Sequence, residues 1–329
     1  MATHARILPG AFSRIAPSQD IFRPQQTPRR TCWRIIRIVT NLPQSGMPMT
    51  ADKVSYDMLY NPRLTVAEAP AIIARWQARS AQARAGLTAY LDVPYGALPS
   101  ERMDIFRAKG HSKALLMFIH GGYWRAFGKA DFSFVARAFT DAGITVAIPD
   151  YALCPAVRIR DIVLQMVQAT AWLHRNGSNF GAPPGRLHVA GHSAGGHLAT
   201  MLLTCLWPKV AVDLPSKVVQ GALSVSGLYD LRDIAKTPSI NNDVRLTIRS
   251  ALAVSPAFLP PATDASLFTA VGSDENAGFH TQNRLIAERW RGVLSEDIPC
   301  PGDNHFTVLE RMSEPGSSLF NAALRMMAA

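Results

Sequence analysis

Residues 187–198 read Leu-His-Val-Ala-Gly-His-Ser-Ala-Gly-Gly-His-Leu. A strand-like stretch, Leu187 to Ala190, runs straight into Gly191-His192-Ser193-Ala194-Gly195, and a helical pattern opens at Ala194. A G-x-S-x-G string between strand and helix specifies a tight turn that holds the serine in a strained backbone, with glycines where a Cβ would clash. The turn sets Ser193 Oγ at the carboxyl end of a sheet and at the positive end of a helix, where a nucleophile belongs.

Outward from this turn the chain alternates. Buried-strand candidates are 114–120, 145–149, 187–190, 221–226 and 267–271, with helical stretches at 131–142, 159–176, 194–206 and 279–291. Two earlier strands, 91–95 and 101–106, are separated by Gly96 and Pro99, and a helix is expected over 65–85. Unbroken apolar strands divided by helices imply a mostly parallel sheet with helices on both faces. No period of 20 to 50 residues is visible, which excludes solenoids and propellers.

The strand ending at Ile119 is followed at once by His120-Gly121-Gly122-Tyr123-Trp124. Paired glycines let backbone N–H groups turn toward an anion. Such a loop, with the N–H of Ala194, forms the oxyanion hole of lipase-like and esterase-like α/β-hydrolases, so Gly121, Gly122 and Ala194 are the candidate donors. In that fold the order is serine, acid, histidine. The acid then lies in Gly272-Ser273-Asp274-Glu275, where two neighbouring carboxylates compete, and the base is His305 in the turn-rich Pro301 to Phe306. His192 and His197 read as structural, His120 as a loop brace and His280 as a helix residue.

These motifs resemble the kynurenine formamidases (arylformamidases), within the HGG-motif esterase and lipase group. The resemblance runs through Tyr60-Asn61-Pro62-Arg63, Tyr95-Gly96, Phe118 to Arg125, Lys129, Asp150-Tyr151, Gly191 to His197, Ser226 to Leu231 and Phe279-His280-x-Gln282. It implies an α/β-hydrolase fold, and Glu275 as the acid because that residue stands four before the Phe of F-x-x-Q; Asp274 is the alternative. It also implies hydrolysis of N-formyl-L-kynurenine to L-kynurenine and formate, with no metal or organic cofactor. Tyr123, Trp124 and Tyr229 are candidates for an aromatic slot around the substrate ring. A carboxylesterase acting on short acyl esters would use the same machinery, since a triad specifies acyl transfer and not the leaving group.

Composition sets the remaining bounds. The 329 residues are 48% hydrophobic, enough for a sizeable core, and no apolar run approaches the roughly 20 residues of a membrane span. The net charge is +10, but residues 1–46 hold seven arginines and one acid, Asp20, for +6; the remaining 27 basic and 23 acidic residues give the rest only +4. Residues 1–46 are proline-broken and acid-poor, so they read as a disordered basic leader or upstream extension ahead of one domain over 47–329. Without interleaved stacking aromatics, their charge does not make a nucleic-acid site. The four scattered cysteines, Cys32, Cys154, Cys205 and Cys300, form no disulfide or zinc pattern, and a reducing, cytoplasmic compartment is expected. The expected partner is a small-molecule substrate, with no nucleic acid or membrane, and the assembly to test is a homodimer.

Overall fold

The computed structural model describes residues 55–328. Eight strands form one sheet: β1 Ala89–Pro94, β2 Arg102–Phe106, β3 Ala114–Ile119, β4 Ile144–Pro149, β5 Leu187–His192, β6 Gly221–Val225, β7 Ser266–Gly272 and β8 Leu294–Cys300. Their order across the sheet is β1-β2-β4-β3-β5-β6-β7-β8. β1 and β2 pair antiparallel, β2 pairs antiparallel with β4, and every pairing from β4 to β8 is parallel.

Alternation along β3 shows why this sheet needs two helical layers. Leu115, Met117 and Ile119 join the core on one face, while Ala114, Leu116 and Phe118 join the core on the other, as a period of two requires. The first face is covered by the helices Ile159–Asn176, Ala194–Leu202 and Ala277–Arg289; the second by Ala69–Gly86, Ala136–Asp141 and Ser318–Ala328. In Ile159–Asn176 the buried positions Ile159, Ile162, Val163, Met166, Val167 and Ala169 recur at helical spacing. All six parallel strands end on one edge, and the loops there carry the candidate residues.

Several boundaries differ from the sequence-based expectation. The helix expected over 194–206 stops at Leu202, and Pro208 opens a separate short helix, Trp207–Val210, in whose first turn a missing N–H costs nothing. The stretch 131–142 is helical only over Ala136–Asp141; two single turns precede it, placing Phe132 and Phe134 against Trp76 at ring distances of 5.6 and 5.8 Å. The first long helix begins at Ala69, with Pro70 in its first turn, where a missing N–H costs nothing. Short helices Tyr56–Tyr60, Pro238–Val244 and Ile248–Ala253 were not anticipated. The expected leader over 1–46, and Cys32 within it, lie outside the described residues. Cys154 and Cys300 are buried free thiols and Cys205 is buried too; burial pushes Cys154 up to about 11 and Cys300 up to about 12. Among the described residues no helix is long and apolar enough to cross a membrane.

Candidate active site

Ser193 follows β5 with φ 56° and ψ −118°, and the helix Ala194–Leu202 starts at the next residue. The turn closes because its glycines touch backbone. A Cβ on Gly191 would come within 2.1 Å of Gly195 O, and one on Gly195 within 2.0 Å of Ile119 O, distances no side chain tolerates. Ser193 N–H donates to Val225 O at 2.8 Å, fastening the elbow to β6.

The 120–127 loop lies against this elbow. A Cβ on Gly121 would sit 3.3 Å from Ser193 Cβ, and Gly122 has φ +108°. Gly121 and Gly122 N–H groups donate to no acceptor among the described residues. At the loop's root, His120 Nδ1–H donates to Gly121 O at 2.8 Å, and its ring stacks on Tyr151 at 4.2 Å, whose hydroxyl donates to His120 O. Burial depresses the basicity of His120, so the neutral imidazole serves as a brace. Beside the loop lies an ionic cluster built on two buried groups, Lys129 and Asp104: Lys129 Nζ lies 2.7 Å from the exposed Asp92, 3.2 Å from Asp104 and 3.7 Å from Asp150, and Arg84 also pairs with Asp104.

The structure places Glu275 against His305, the expected base. His305 Nδ1–H donates to Glu275 Oε2 at 2.6 Å, both side chains being almost wholly buried. Glu275 Oε1 accepts from Ser226 Oγ at 2.6 Å and from Gly272 N–H at 2.8 Å. Asp274 faces solvent instead, accepting from Ser273 Oγ at 2.8 Å. The His305 ring packs on Phe279 at 4.2 Å and beside His192 at 4.8 Å, and His192 Nε2–H donates to His305 O at 2.8 Å. Burial, with His305 adjacent, holds His192 well below the usual histidine range, and burial takes His197 down to about 4. His197 Nε2–H donates to Val254 O at 2.7 Å. Both histidines are thus neutral donors that pin backbone. No hydrogen bond joins His305 to Ser193 Oγ in this structure, and such bonds commonly tighten only with substrate in place.

The expected aromatic slot needs correction at two of its three residues. Trp124 is 0% exposed and packs edge-on against His197 at 5.1 Å. Tyr229 is also 0% exposed; its hydroxyl donates to Ser224 Oγ at 2.7 Å. Both are core residues, because the left-handed backbone at Trp124 (φ 55°) turns its indole inward and the Tyr229 hydroxyl already has a buried acceptor. Tyr123 alone stays half-buried, its hydroxyl donating to Tyr60 O.

Gln282 and Ser226 carry no role that sequence alone assigns. Gln282 Oε1 accepts from Tyr229 N–H (2.7 Å) and Asp230 N–H (2.8 Å), while Nε2 donates to Tyr60 OH and Asp230 O, so one amide ties three segments together. Phe279 and Gln282 lie on one helix, which explains the F-x-x-Q spacing: the first supports His305 and the second the loop after β6.

Fold and site together define an α/β-hydrolase. A profile of the α/β-hydrolase fold family matches residues 116–282, just over half of the chain, and the chain belongs to that family. Among its relatives, kynurenine formamidase of Salmo salar is 28% identical over 249 residues, covering 72% of this chain and 81% of that one. The kynurenine formamidase of Danio rerio is 28% identical over 257 residues, covering 75% and 84%. The crystal structure of a candidate thioesterase from Silicibacter sp. TM1040 superposes with a TM-score of 0.72 at 30% identity, covering 82% of this chain and 98% of that one.

Proposed function

We propose that the chain is a serine hydrolase that cleaves the formyl amide of N-formyl-L-kynurenine, yielding L-kynurenine and formate. The observation that carries the reading is the buried Glu275–His305 pair, 2.6 Å apart, on the same sheet edge as Ser193 and the 120–127 loop. Likeness to the formamidases over about three quarters of the chain supports the choice of substrate.

Ser193 Oγ attacks the formyl carbon as His305 Nε2 takes its proton. Glu275 holds Nδ1–H, so Nε2 is the free basic nitrogen, and its charge offsets the imidazolium that forms. The oxyanion meets the N–H groups of Gly121, Gly122 and Ala194. His305 then gives its proton to the departing arylamine nitrogen, since an anilide is too basic to leave unprotonated. Water, deprotonated by the same histidine, releases formate from the serine ester. Ser193 is only 2% exposed, which favours the smallest acyl group, and the half-buried Tyr123 of the adjoining loop is the residue we assign to the substrate ring. We place the reaction in the cytoplasm, in keeping with the free thiols.

Measuring kcat/KM for N-formylkynurenine against p-nitrophenyl acetate tests this. A preference of at least tenfold for the formamide is expected. A preference for the ester would make the chain a short-acyl carboxylesterase, which the same buried serine and oxyanion donors would serve.

A further inference from the structure

We propose that Ser226 is a positioning residue for this reaction: its hydroxyl fixes the Glu275 carboxylate so that Oε2 stays on His305. The inference rests on the reading of Ser193, His305 and Glu275 as the catalytic set.

Ser226 stands directly after β6 and is 2% exposed. Its φ of 52° is left-handed, a conformation glycine adopts freely and other residues enter only with strain. The neighbouring residue is Gly227, yet the strained position carries serine. What serine offers there and glycine lacks is the hydroxyl, which donates to Glu275 Oε1 at 2.6 Å. The backbone is anchored separately, Ser226 N–H donating to Ala270 O at 2.7 Å, so the hydroxyl is not needed to hold the turn.

Glu275 depends on such donors. Its carboxylate is buried, and Tyr123, Tyr229 and Cys300, which feel its charge, are held neutral first by burial and then by that charge, so none of them offers it a counter-ion. His305 is the cation it pairs with once the proton moves. Without Ser226 the only donor besides His305 itself would be Gly272 N–H; a second fixed donor on Oε1 sets the carboxylate's plane and aims Oε2 independently of the histidine. Ser226 touches no substrate, so its effect must pass through Glu275.

The test is a double-mutant cycle on p-nitrophenyl acetate, a probe that reports the machinery whatever the natural leaving group. Ser226→Ala should lower kcat about ten- to a hundredfold with KM within about twofold, the loss appropriate to one hydrogen bond to a charged group. Ser226→Gly should lose as much kcat while melting no lower than Ser226→Ala, because glycine relieves the left-handed strain. Ser226→Ala combined with Glu275→Gln should be no slower than Glu275→Gln alone. The inference is overturned by a wild-type kcat in Ser226→Ala, by recovered activity in Ser226→Gly, or by losses that multiply in the double variant. If Glu275→Gln is slow and Ser226→Ala is not, only the role of Ser226 fails. If Glu275→Gln itself turns over at the wild-type rate, the catalytic set is wrong and this inference falls with it.

Discussion

Replacing Glu275 by glutamine changes one atom and leaves three donors facing the carboxylate site. Ser226 Oγ and Gly272 N–H converge on Oε1, and His305 Nδ1–H on Oε2. A glutamine has one oxygen, so two arrangements exist. With its oxygen on the Oε1 side, the amide NH₂ faces His305 Nδ1, which must then accept, and the ring proton moves to Nε2; that imidazole cannot take the proton of Ser193. With its oxygen toward His305 the tautomer is right, but NH₂ opposes Gly272 N–H in a buried site. The hydroxyl of Ser226 can rotate to accept; the amide of Gly272 cannot. A buried donor without an acceptor costs about 1 to 3 kcal/mol, so the competent form is populated roughly 5- to 150-fold less. The neutral amide also fails to offset the imidazolium, and comparable acid-to-amide changes in serine-protease triads cost about 10⁴ in kcat. We expect Glu275→Gln to lose about 10² to 10⁴ in kcat with KM little changed, while Asp274→Asn, whose carboxylate is solvent-exposed and bonded to Ser273, loses less than about tenfold. Steady-state kinetics on p-nitrophenyl acetate and N-formylkynurenine decides the matter. The reverse ranking, or near-wild-type rates in both variants, would refute the reasoning.

Ser193→Ala should reduce kcat by more than about 10³ while shifting the melting temperature by no more than a few degrees, because alanine accepts the same strained backbone as poorly as serine does; turnover above a thousandth of wild type would reassign the nucleophile. Lys129→Met keeps the stem but leaves the buried Asp104 with Arg84 as its one cation, beside the Asp92 N–H, and should destabilise by about 3 kcal/mol, readable as a fall of about 6 to 12 °C; an unchanged melting temperature would mean the cluster is better satisfied without the ammonium. Acid should also destabilise the protein: burial holds His188 and His197 at about 4 and His192 well below its usual range. Since the unfolded histidine titrates near 6.5, their contribution is full above about pH 6.5 and is lost as pH falls toward 4, by about 1.4 kcal/mol per histidine per pH unit. Thermal unfolding at pH 7, 6 and 5 checks the slope, and a flat profile would count against buried neutral histidines.

Much of the site was legible because the residues that make it are forced by local geometry. Gly191 and Gly195 are written into the sequence by contacts only a few residues away or on the adjacent strand, and the apolar runs of β3 to β7 follow from burial on both faces. What sequence did not reveal depends on partners distant along the chain. Ser226 meets Glu275 across 49 residues, and Gln282 meets Tyr229 across 53; nothing near either residue marks it as a donor or a clamp. Trp124 and Tyr229 were misread for a related reason. An aromatic beside a catalytic loop looks like a substrate wall, but only the backbone twist at Trp124 and the buried acceptor of Tyr229 tell which way each ring turns. Asp274 and Glu275 stayed ambiguous until the loop's course separated them, one toward His305 and the other toward solvent.

The strained backbone explains why these features sit together. Among the described residues seven non-glycine residues have positive φ, and five of them, Tyr123, Trp124, Phe127, Ser193 and Ser226, stand in three loops on the carboxyl edge of the sheet. Each left-handed residue costs on the order of 1 to 3 kcal/mol and survives only where surrounding contacts leave it no alternative. Here the contacts are mutual: Ser193 N–H is held by β6, Ser226 N–H by β7, and a Cβ on Gly121 would touch Ser193. A relaxed backbone at any one of these positions would move a donor or an acceptor of the site by a side-chain's length. The parallel strands therefore supply the rigidity, and the strained residues at their ends hold Ser193, the 120–127 loop and the Ser226–Glu275 contact on one edge of the sheet.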